Sequence, residues 1–153
     1  CRCKKCGYIW YPKPNNLLYG KITGCPKCQS YSKGEDRIKE CLESNNIPYI
    51  IHKTYSELLG IGGKKLSFDF YLPDYNLLIE YQGQQHEKPT TFGNMNVDEA
   101  QKQFKTQQEH DKRKRDYAKQ HGIKLLEIWY YDYNDISKIL DDKLNINNLR
   151  RAV

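Results

Sequence analysis

Residues 67–86, SFDFYLPDYNLLIEYQGQQH, constrain the fold most strongly, because two carboxylates stand inside two apolar segments. Both segments are rich in Phe, Tyr, Leu and Ile, and the aromatic and β-branched residues among them favour strands. Residues 73–76, Pro-Asp-Tyr-Asn, lie between the segments, and Pro suits the second position of a type I turn. The stretch is therefore predicted to form a β-hairpin.

The loop fixes which residues face each other across the predicted hairpin. With residues 73–76 as the loop, Leu72 pairs with Leu77. Counting outward along both strands brings Asp69 opposite Glu80. Directly opposed side chains lie about 5 Å apart, and like charges there are destabilising. We therefore expect a positive group between the two acids. The alternative is a solvent-facing edge whose acids are offset by lysines.

Side chains alternate between the two faces of a strand, so the hairpin has a predicted apolar face and a predicted polar face. The apolar face, expected to be core, comprises Phe68, Phe70, Leu72, Leu77, Ile79 and Tyr81. The other face, expected to carry chemistry, comprises Ser67, Asp69, Tyr71, Leu78, Glu80 and Gln82.

At 153 residues, the chain is long enough for one ordinary domain and a small appendage. It has no run of about 18 apolar residues and no signal peptide, which predicts an intracellular protein without a membrane segment. Lys and Arg number 25 against 19 Asp and Glu, a net charge of +6. The excess is clustered, notably at Lys64-Lys65 and in the run KRKR at 112–115, and basic clusters favour a polyanion partner.

Four cysteines have the spacing of a zinc site: Cys3 and Cys6, then Cys25 and Cys28, form two Cys-x2-Cys pairs. Two such turns can supply the four thiolates, at about 2.3 Å, that tetrahedral zinc requires. We expect one structural Zn²⁺ ion in a DNA-contacting module of the zinc-ribbon or treble-clef kind over residues 1–30. A second domain is expected over residues 31–153. A disulfide framework is the disfavoured alternative, because the chain is basic and has no signal peptide.

Further elements are predicted along the rest of the chain. They are a helix over 34–45, a strand over 49–52, a connection over 55–65, a helix over 98–121, a central strand over 123–130 and a short helix over 136–140. Together with the hairpin, they predict an α/β (α+β) fold in which helices flank a mixed sheet.

Three more polar residues are expected near the paired acids. Glu35 lies one turn before Ile38 and so points toward the core side of its helix, although an acid in a first turn also suits the helix dipole. His86 follows the second hairpin strand and is expected to donate a proton or to position water. Asp111 lies on the helix stripe that is expected to meet the sheet. The basic residues expected to face solvent or DNA are Lys112, Arg113 and Arg115.

The order of these elements over residues 31–131 resembles the core of PD-(D/E)xK nucleases. The resemblance rests on the helix with Glu35, the strand with Asp69 and the strand with Glu80-Tyr81-Gln82, followed by a helix and another strand. Gln82 stands where many members of the superfamily have Lys.

Two further segments narrow the resemblance. Gly83-Gln84-Gln85-His86 and the helix with His110-Asp111 make the chain most similar to the very-short-patch-repair endonucleases and to the EDxHD homing endonucleases of phages. The residues that match the motif of those enzymes are Glu35, Asp69, His86 and Asp111. The resemblance implies a restriction-endonuclease-like core that hydrolyses double-stranded DNA with a divalent metal ion.

On this resemblance, Asp69 and Glu80 are expected to hold catalytic Mg²⁺, for which Mn²⁺ can substitute, with the backbone carbonyl of Tyr81 as a further ligand. Gln82 is expected to orient the attacking water. His86, oriented by Asp111, is expected to protonate the leaving oxygen or to activate water. Glu35 is expected to bind a second metal or its water shell.

A neutral amide at residue 82 adds no charge to the site, which leaves a second function open. The alternative is a catalytically inactive, zinc-dependent DNA-binding protein with a nuclease-like fold. An RNA-processing factor is a weaker alternative, because zinc ribbons and basic helices suit RNA too.

Overall fold

The computed structural model describes Arg2, Ile9, Tyr11 and residues 32–89 and 96–145. The chain forms two compact units, residues 1–36 and residues 37–153. In the first unit, Arg2 and Ile9 form an isolated antiparallel bridge. The four cysteines predicted to bind zinc lie outside the described residues, so the zinc module and its boundary at residue 30 stay predictions.

One mixed sheet of four strands forms the centre of the second unit, in the order β1-β2-β3-β4. The strands are β1 (Ile50–Leu59), β2 (Lys65–Leu72), β3 (Leu77–Gln82) and β4 (Lys124–Trp129). Strand β2 is antiparallel to both β1 and β3, and β4 is parallel to β3. The predicted mixed sheet flanked by helices is confirmed.

Three α-helices occur in the described part of the chain: α1 (Lys33–Ser44), α2 (Val97–Gln120) and α3 (Ile136–Leu144). A parallel pair of strands needs a long crossover connection, and α2 lies within the one between β3 and β4. Helix α2 begins with a capping box between Asn96 and Glu99. It ends before Gly122, whose φ of 63° is the left-handed conformation that glycine adopts without strain. None of the described helices is both long and apolar enough to cross a membrane.

The predicted hairpin is confirmed, with its register. Leu72 pairs with Leu77, and Phe70 pairs with Ile79. The loop between them is a single 3₁₀ turn over Pro73–Tyr75, closed by Asn76 in the left-handed conformation. This part of the fold depends on local turn chemistry, which is why the sequence alone predicts it.

Two of the predicted element bounds and one predicted strand position are wrong. Strand β1 runs to Leu59, so the predicted connection over 55–65 is largely strand; its residues pair with β2 as far as Leu59 with Lys65. Strand β4 is last in the described sheet rather than central. Helix α3 continues beyond residue 140 to Leu144, because Leu144 is buried in the same cluster as Ile136.

Both faces of the sheet are packed, which corrects the expectation of a single core face. One cluster contains Ile38, Leu42, Ile47, Phe70, Leu72, Leu77, Ile79, Ile128, Ile136, Leu140 and Leu144, so α1 and α3 cover this face. The other cluster contains Leu58, Phe68, Leu78 and Ala118, so α2 covers the opposite face. The face that carries the acids is therefore enclosed rather than open.

Phe68 lies in the second cluster, although simple alternation along β2 predicts that it shares a face with Phe70. The alternation changes at Asp69. On either side of that residue, Ile51 pairs with Phe70 and Lys53 pairs with Phe68. The intervening residue of β1, His52, has a φ of 49°, which twists the strand where it passes Asp69.

A double-mutant cycle tests this placement of Phe68. The Phe68 and Tyr55 rings meet edge to face with centroids 6.1 Å apart, whereas Tyr49 contacts Phe70 instead. Because contacting residues couple, we expect Phe68→Leu and Tyr55→Leu to show an interaction energy of about 0.5–1.5 kcal/mol in urea unfolding. The matched pair of Phe68→Leu with Tyr49→Leu should be additive. Coupling of Phe68 to Tyr49 and not to Tyr55 would contradict the change of side-chain alternation at Asp69.

Candidate functional site

Asp69 of β2 and Glu80 of β3 are brought together beneath α2. The hairpin ladder ends at Phe70 with Ile79, one step short of Asp69 and Glu80, so the direct pairing of the two acids stays a prediction, although the charge of Asp69 acts on Glu80. Glu80 is only 4% exposed. The backbone N–H of Tyr81 donates to Oδ2 of Asp69 at 2.8 Å, so the carboxylate takes the place of a ladder partner at this point of the strand.

The expected positive group beside the acids is Lys114 of α2. Its Nζ donates to Oε1 of Glu80 at 2.8 Å. The same ammonium lies 5.5 Å from the centre of the Phe68 ring, which gives it an apolar and aromatic surround. Because the alternation of side chains along β2 changes at Asp69, Phe68 lies on this face of the sheet and contacts the lysine.

Burial raises the pKa of both acids. For Asp69, burial outweighs the Tyr81 N–H and the charge of Lys114, which act to lower the pKa. For Glu80, burial raises the pKa to about 8; Lys114 opposes this increase, and the charge of Asp69 adds to it. One lysine therefore does not fully compensate two buried carboxyl groups.

His86 and Asp111 form the second part of the site. The Nδ1 atom of His86 lies 2.8 Å from Oδ2 of Asp111, and the aspartate is only 4% exposed. Gln107 donates from Nε2 to Oδ1 of the same aspartate at 2.9 Å. Burial alone would raise the pKa of Asp111, but the His86 and Gln107 hydrogen bonds outweigh it and the pKa is lowered. Asp111 therefore carries the charge needed to orient the imidazole.

Gln82 belongs to a third group, which reaches from β3 to β4 and α2. The Nε2 atom of Gln82 donates to Oε1 of Glu127 at 2.8 Å. Arg115 binds both oxygens of the same carboxylate, with its Nε 2.9 Å from Oε2 and its Nη2 2.8 Å from Oε1. The Oε1 atom of Gln82 is buried and has no hydrogen-bond partner among the described residues. Since the amide nitrogen faces Glu127, this oxygen is the atom of Gln82 that can accept a bond from water.

Glu35 is placed in the first turn of α1, as predicted. Its side chain accepts a hydrogen bond from the Ser32 backbone N–H, and the Ser32 hydroxyl accepts one from the Glu35 N–H. This is a capping box, which stabilises the start of the helix. Glu35 belongs to the first unit, and its expected role in metal binding stays a prediction.

Two of the three basic residues expected to face solvent or DNA are engaged within the unit. Arg113 binds Glu109 and the carbonyl of Leu59, and Arg115 binds Glu127. Lys112 is exposed. Neighbouring basic residues on one helix thus differ: two form contacts within the unit, and one is exposed to solvent.

Sequence reasoning missed Gln107 and Glu127. Gln107 stands one helical turn before Asp111 and so lies on the same side of α2. This spacing is the sequence signal that could have identified it. Glu127 is the one acid inside the apolar strand KLLEIW, which is a signal of a buried partner. Identifying that partner as Gln82 requires the register of β3 with β4, which local sequence does not encode.

Among solved structures, the chain is similar to the catalytic domain of the homing endonuclease I-Bth0305I, with a TM-score of 0.47 and 24% sequence identity. The similarity covers 76% of this chain and 94% of that domain. At this identity, the likeness concerns the fold alone. No protein-family model matches the sequence, and no curated protein matches it.

Glu80→Gln is expected to stabilise the metal-free protein more at alkaline pH than at acidic pH. The folded-state pKa of about 8 lies above the ordinary value of 4.5, so folding favours the protonated carboxyl. Wild-type stability is therefore lost as the pH rises from about 4.5 through about 8, whereas glutamine does not titrate. The melting temperature of the variant relative to wild type, measured without added Mg²⁺ or Mn²⁺, should be higher at pH 9 than at pH 5.

The matched control is Glu40→Gln, which changes an exposed acid on α1. Its melting-temperature difference from wild type should show no comparable rise over the same pH range. A difference for Glu80→Gln that stays constant with pH would contradict the raised pKa.

Proposed function

We propose that the chain is a metal-dependent endonuclease that hydrolyses phosphodiester bonds in double-stranded DNA. The observation that carries this proposal is the convergence of the buried Glu80, the half-buried Asp69, a lysine and an aspartate-bound histidine on the face of the sheet beneath α2. Hydrolysis of a phosphodiester needs an activated water and compensation of the charge that develops on the phosphate. These residue types can meet both needs.

The donor set at the acids fits Mg²⁺. The hydrogen bonds described above use Oδ2 of Asp69 and Oε1 of Glu80, and among the described residues none uses the other oxygen of either carboxylate. Residues 32–89 and 96–145 contain no group of three or more His, Cys, Asp and Glu side chains arranged as a metal site. Mg²⁺ does not require such a group, because it is commonly held by one or two carboxylates together with waters and substrate phosphate.

Burial raises the pKa of both acids, and a bound cation would favour their charged forms. Asp69, Glu80 and the Tyr81 carbonyl would hold the cation, and Mn²⁺ has the same oxygen-ligand preference. When bound, the cation would lower the pKa of a ligated water and offset the phosphate charge.

The histidine is the proposed acid or base. Its Nδ1 faces the ionised Asp111 at 2.8 Å, which leaves Nε2 to exchange a proton with water or with the leaving oxygen. Gln107 donates to the other oxygen of Asp111, so that carboxylate is fixed from two sides.

Lys114 is proposed to supply the positive charge that a lysine at residue 82 would otherwise provide. Its ammonium reaches Glu80 from the helix instead of from the strand. Gln82 is proposed to orient water through its buried Oε1 atom, since Glu127 occupies the amide nitrogen. In this proposal, Lys114 provides the positive charge and Gln82 orients the water.

Two finer parts of the proposal come from the sequence. Membership of the very-short-patch-repair or phage EDxHD class rests on the motif residues quoted above. The zinc module of residues 1–30 is proposed to add DNA contacts to those of exposed lysines such as Lys64, Lys65 and Lys112.

Plasmid DNA incubated with the purified protein and Mg²⁺ tests the function directly. We expect nicking or linearisation that EDTA stops, and we expect Asp69→Asn to abolish it while the protein still folds. The matched control is Asp74→Asn, because Asp74 is an exposed acid in the hairpin loop of the same strand pair. Its cleavage should equal that of wild type.

Gln82 favours one competing function, a DNA-binding protein without activity, because a neutral amide replaces the lysine of related nucleases. Under the same conditions, that protein would retard the plasmid in a gel and leave it intact with both Mg²⁺ and Mn²⁺. That result would refute the endonuclease proposal and favour the binding protein.

His86→Ala is expected to lower the cleavage rate about a hundredfold or more, with DNA affinity nearly unchanged, because general acid or base groups typically contribute about 10² to 10⁴ in rate. Asp111→Asn should lose a similar factor, since it misorients the same imidazole. Residues that act as one unit are not additive, so the double variant should be barely slower than the slower single one.

The control for this series is His121→Ala, which removes a half-exposed histidine at the end of α2. Its single-turnover cleavage rate should match wild type. Cleavage by His86→Ala at the wild-type rate would refute the acid or base role and leave the Asp69 and Glu80 site standing.

A further inference from the structure

An aromatic segment adjoins the proposed active site at the end of β4. In the parallel ladder, Glu80 pairs with Glu127 and Gln82 pairs with Trp129. Residues two apart on a strand share a face, so Trp129 lies on the face of Glu127. The hydrogen bond between Glu127 and Gln82 identifies this face as the one that carries the proposed site.

Trp129 is half of a stacked aromatic pair. Its ring and that of Tyr131 are 3° from parallel, with centroids 6.0 Å apart. Tyr130 meets Tyr131 edge to face at 5.3 Å. Despite these two contacts, Tyr131 is 61% exposed, so much of a large ring remains open to solvent. A ring that is fixed by neighbours and yet exposed can stack against another flat group with little loss of conformational freedom.

The segment is held next to the proposed catalytic histidine. The Tyr130 hydroxyl donates to Oε2 of Glu87 at 2.6 Å, and Glu87 directly follows His86. The stretch from Gln82 to His86 is thus joined to the aromatic segment at both ends. Gln82 pairs with Trp129 at one end, and Glu87 accepts the Tyr130 hydrogen bond just beyond the other. The aromatic segment therefore lies beside the turn that carries His86.

We propose that the Trp129 and Tyr131 stack binds a nucleobase of the cleaved DNA strand, through the exposed face of Tyr131. This site rests on the proposed endonuclease function and adds to it a substrate contact beside the phosphate site. Base stacking on an aromatic side chain is tolerant of sequence, because every base has a π-face. The base must leave the duplex stack to make this contact, which favours substrates that are single-stranded, mismatched or easily unstacked at the cleavage position.

Affinity for two single-stranded oligonucleotides tests the site. The first carries adenine bases, and the second has the same length and backbone but contains abasic residues. Both are titrated against the full chain in buffer without Mg²⁺ or Mn²⁺, so that no cleavage occurs. Tyr131→Ala should weaken binding of the adenine strand about tenfold or more and leave binding of the abasic strand unchanged. Tyr131→Phe keeps the aromatic face and should bind both strands as wild type does.

The matched control is Tyr133→Ala, which removes another exposed tyrosine of the same 3₁₀ segment (Tyr130–Asp135) that has no place in the stack. It should retain affinity for the adenine strand. Tyr131→Leu, which keeps apolar cover but lacks a π-face, should weaken adenine binding as Tyr131→Ala does, with an unchanged melting temperature. This variant separates lost stacking from lost folding.

Two results would overturn the proposal in different ways. If wild type binds the adenine strand and Tyr131→Ala binds it equally well, the stacking site is refuted and the endonuclease proposal is untouched. If wild type binds neither strand and no duplex even at low salt, the DNA substrate is refuted, and the stacking site with it.

Discussion

The ion pair between Lys114 and Glu80 holds α2 against the acidic face of the sheet. The Glu80 carboxyl is 4% exposed, and the Lys114 ammonium 2.8 Å away provides it with a partner and opposes the rise of its pKa that burial causes. Without Lys114, the buried carboxyl would be protonated over a wider pH range. The helix that carries the lysine therefore controls the charge on this face of the sheet.

The polar contacts of α2 follow from its helical spacing. Gln107, Asp111 and Lys114 stand at steps of four and three residues and so face the sheet together. Arg115, one position further, reaches sideways to Glu127 on β4. The long apolar contacts that usually fix such a helix are few, since its buried residues are Ala100, Asp111 and Ala118. Directional polar contacts therefore join the packing of Ala118 and Tyr117 in setting the position of α2 over the sheet.

The sequence predicts those parts of the site whose determinants are local. The hairpin register follows from a proline turn and a period of two, and it is confirmed. The period of α2 predicts that Asp111 lies on the side of the helix that meets the sheet, and Asp111 is buried. Phe68 was assigned to the wrong face, because the reversal at Asp69 involves the left-handed backbone of His52 in another strand. The Gln82 contact with Glu127 was missed for a similar reason, since a parallel pairing across a long crossover leaves no local signal. The bounds of β1 were wrong because its polar residues resemble a loop until pairing with β2 is known.

Gln82 has a physical explanation in its surroundings. A lysine at this position would project toward Glu127, whose two oxygens already accept hydrogen bonds from Arg115. Two cations would then share one carboxylate, in a place where the present residue is 1% exposed. A neutral amide avoids that repulsion and still donates to Glu127. The positive charge is instead provided one element away, where Lys114 has a carboxylate of its own. The cation on this face therefore stands on the helix, and the strand keeps a neutral amide with a buried acceptor oxygen.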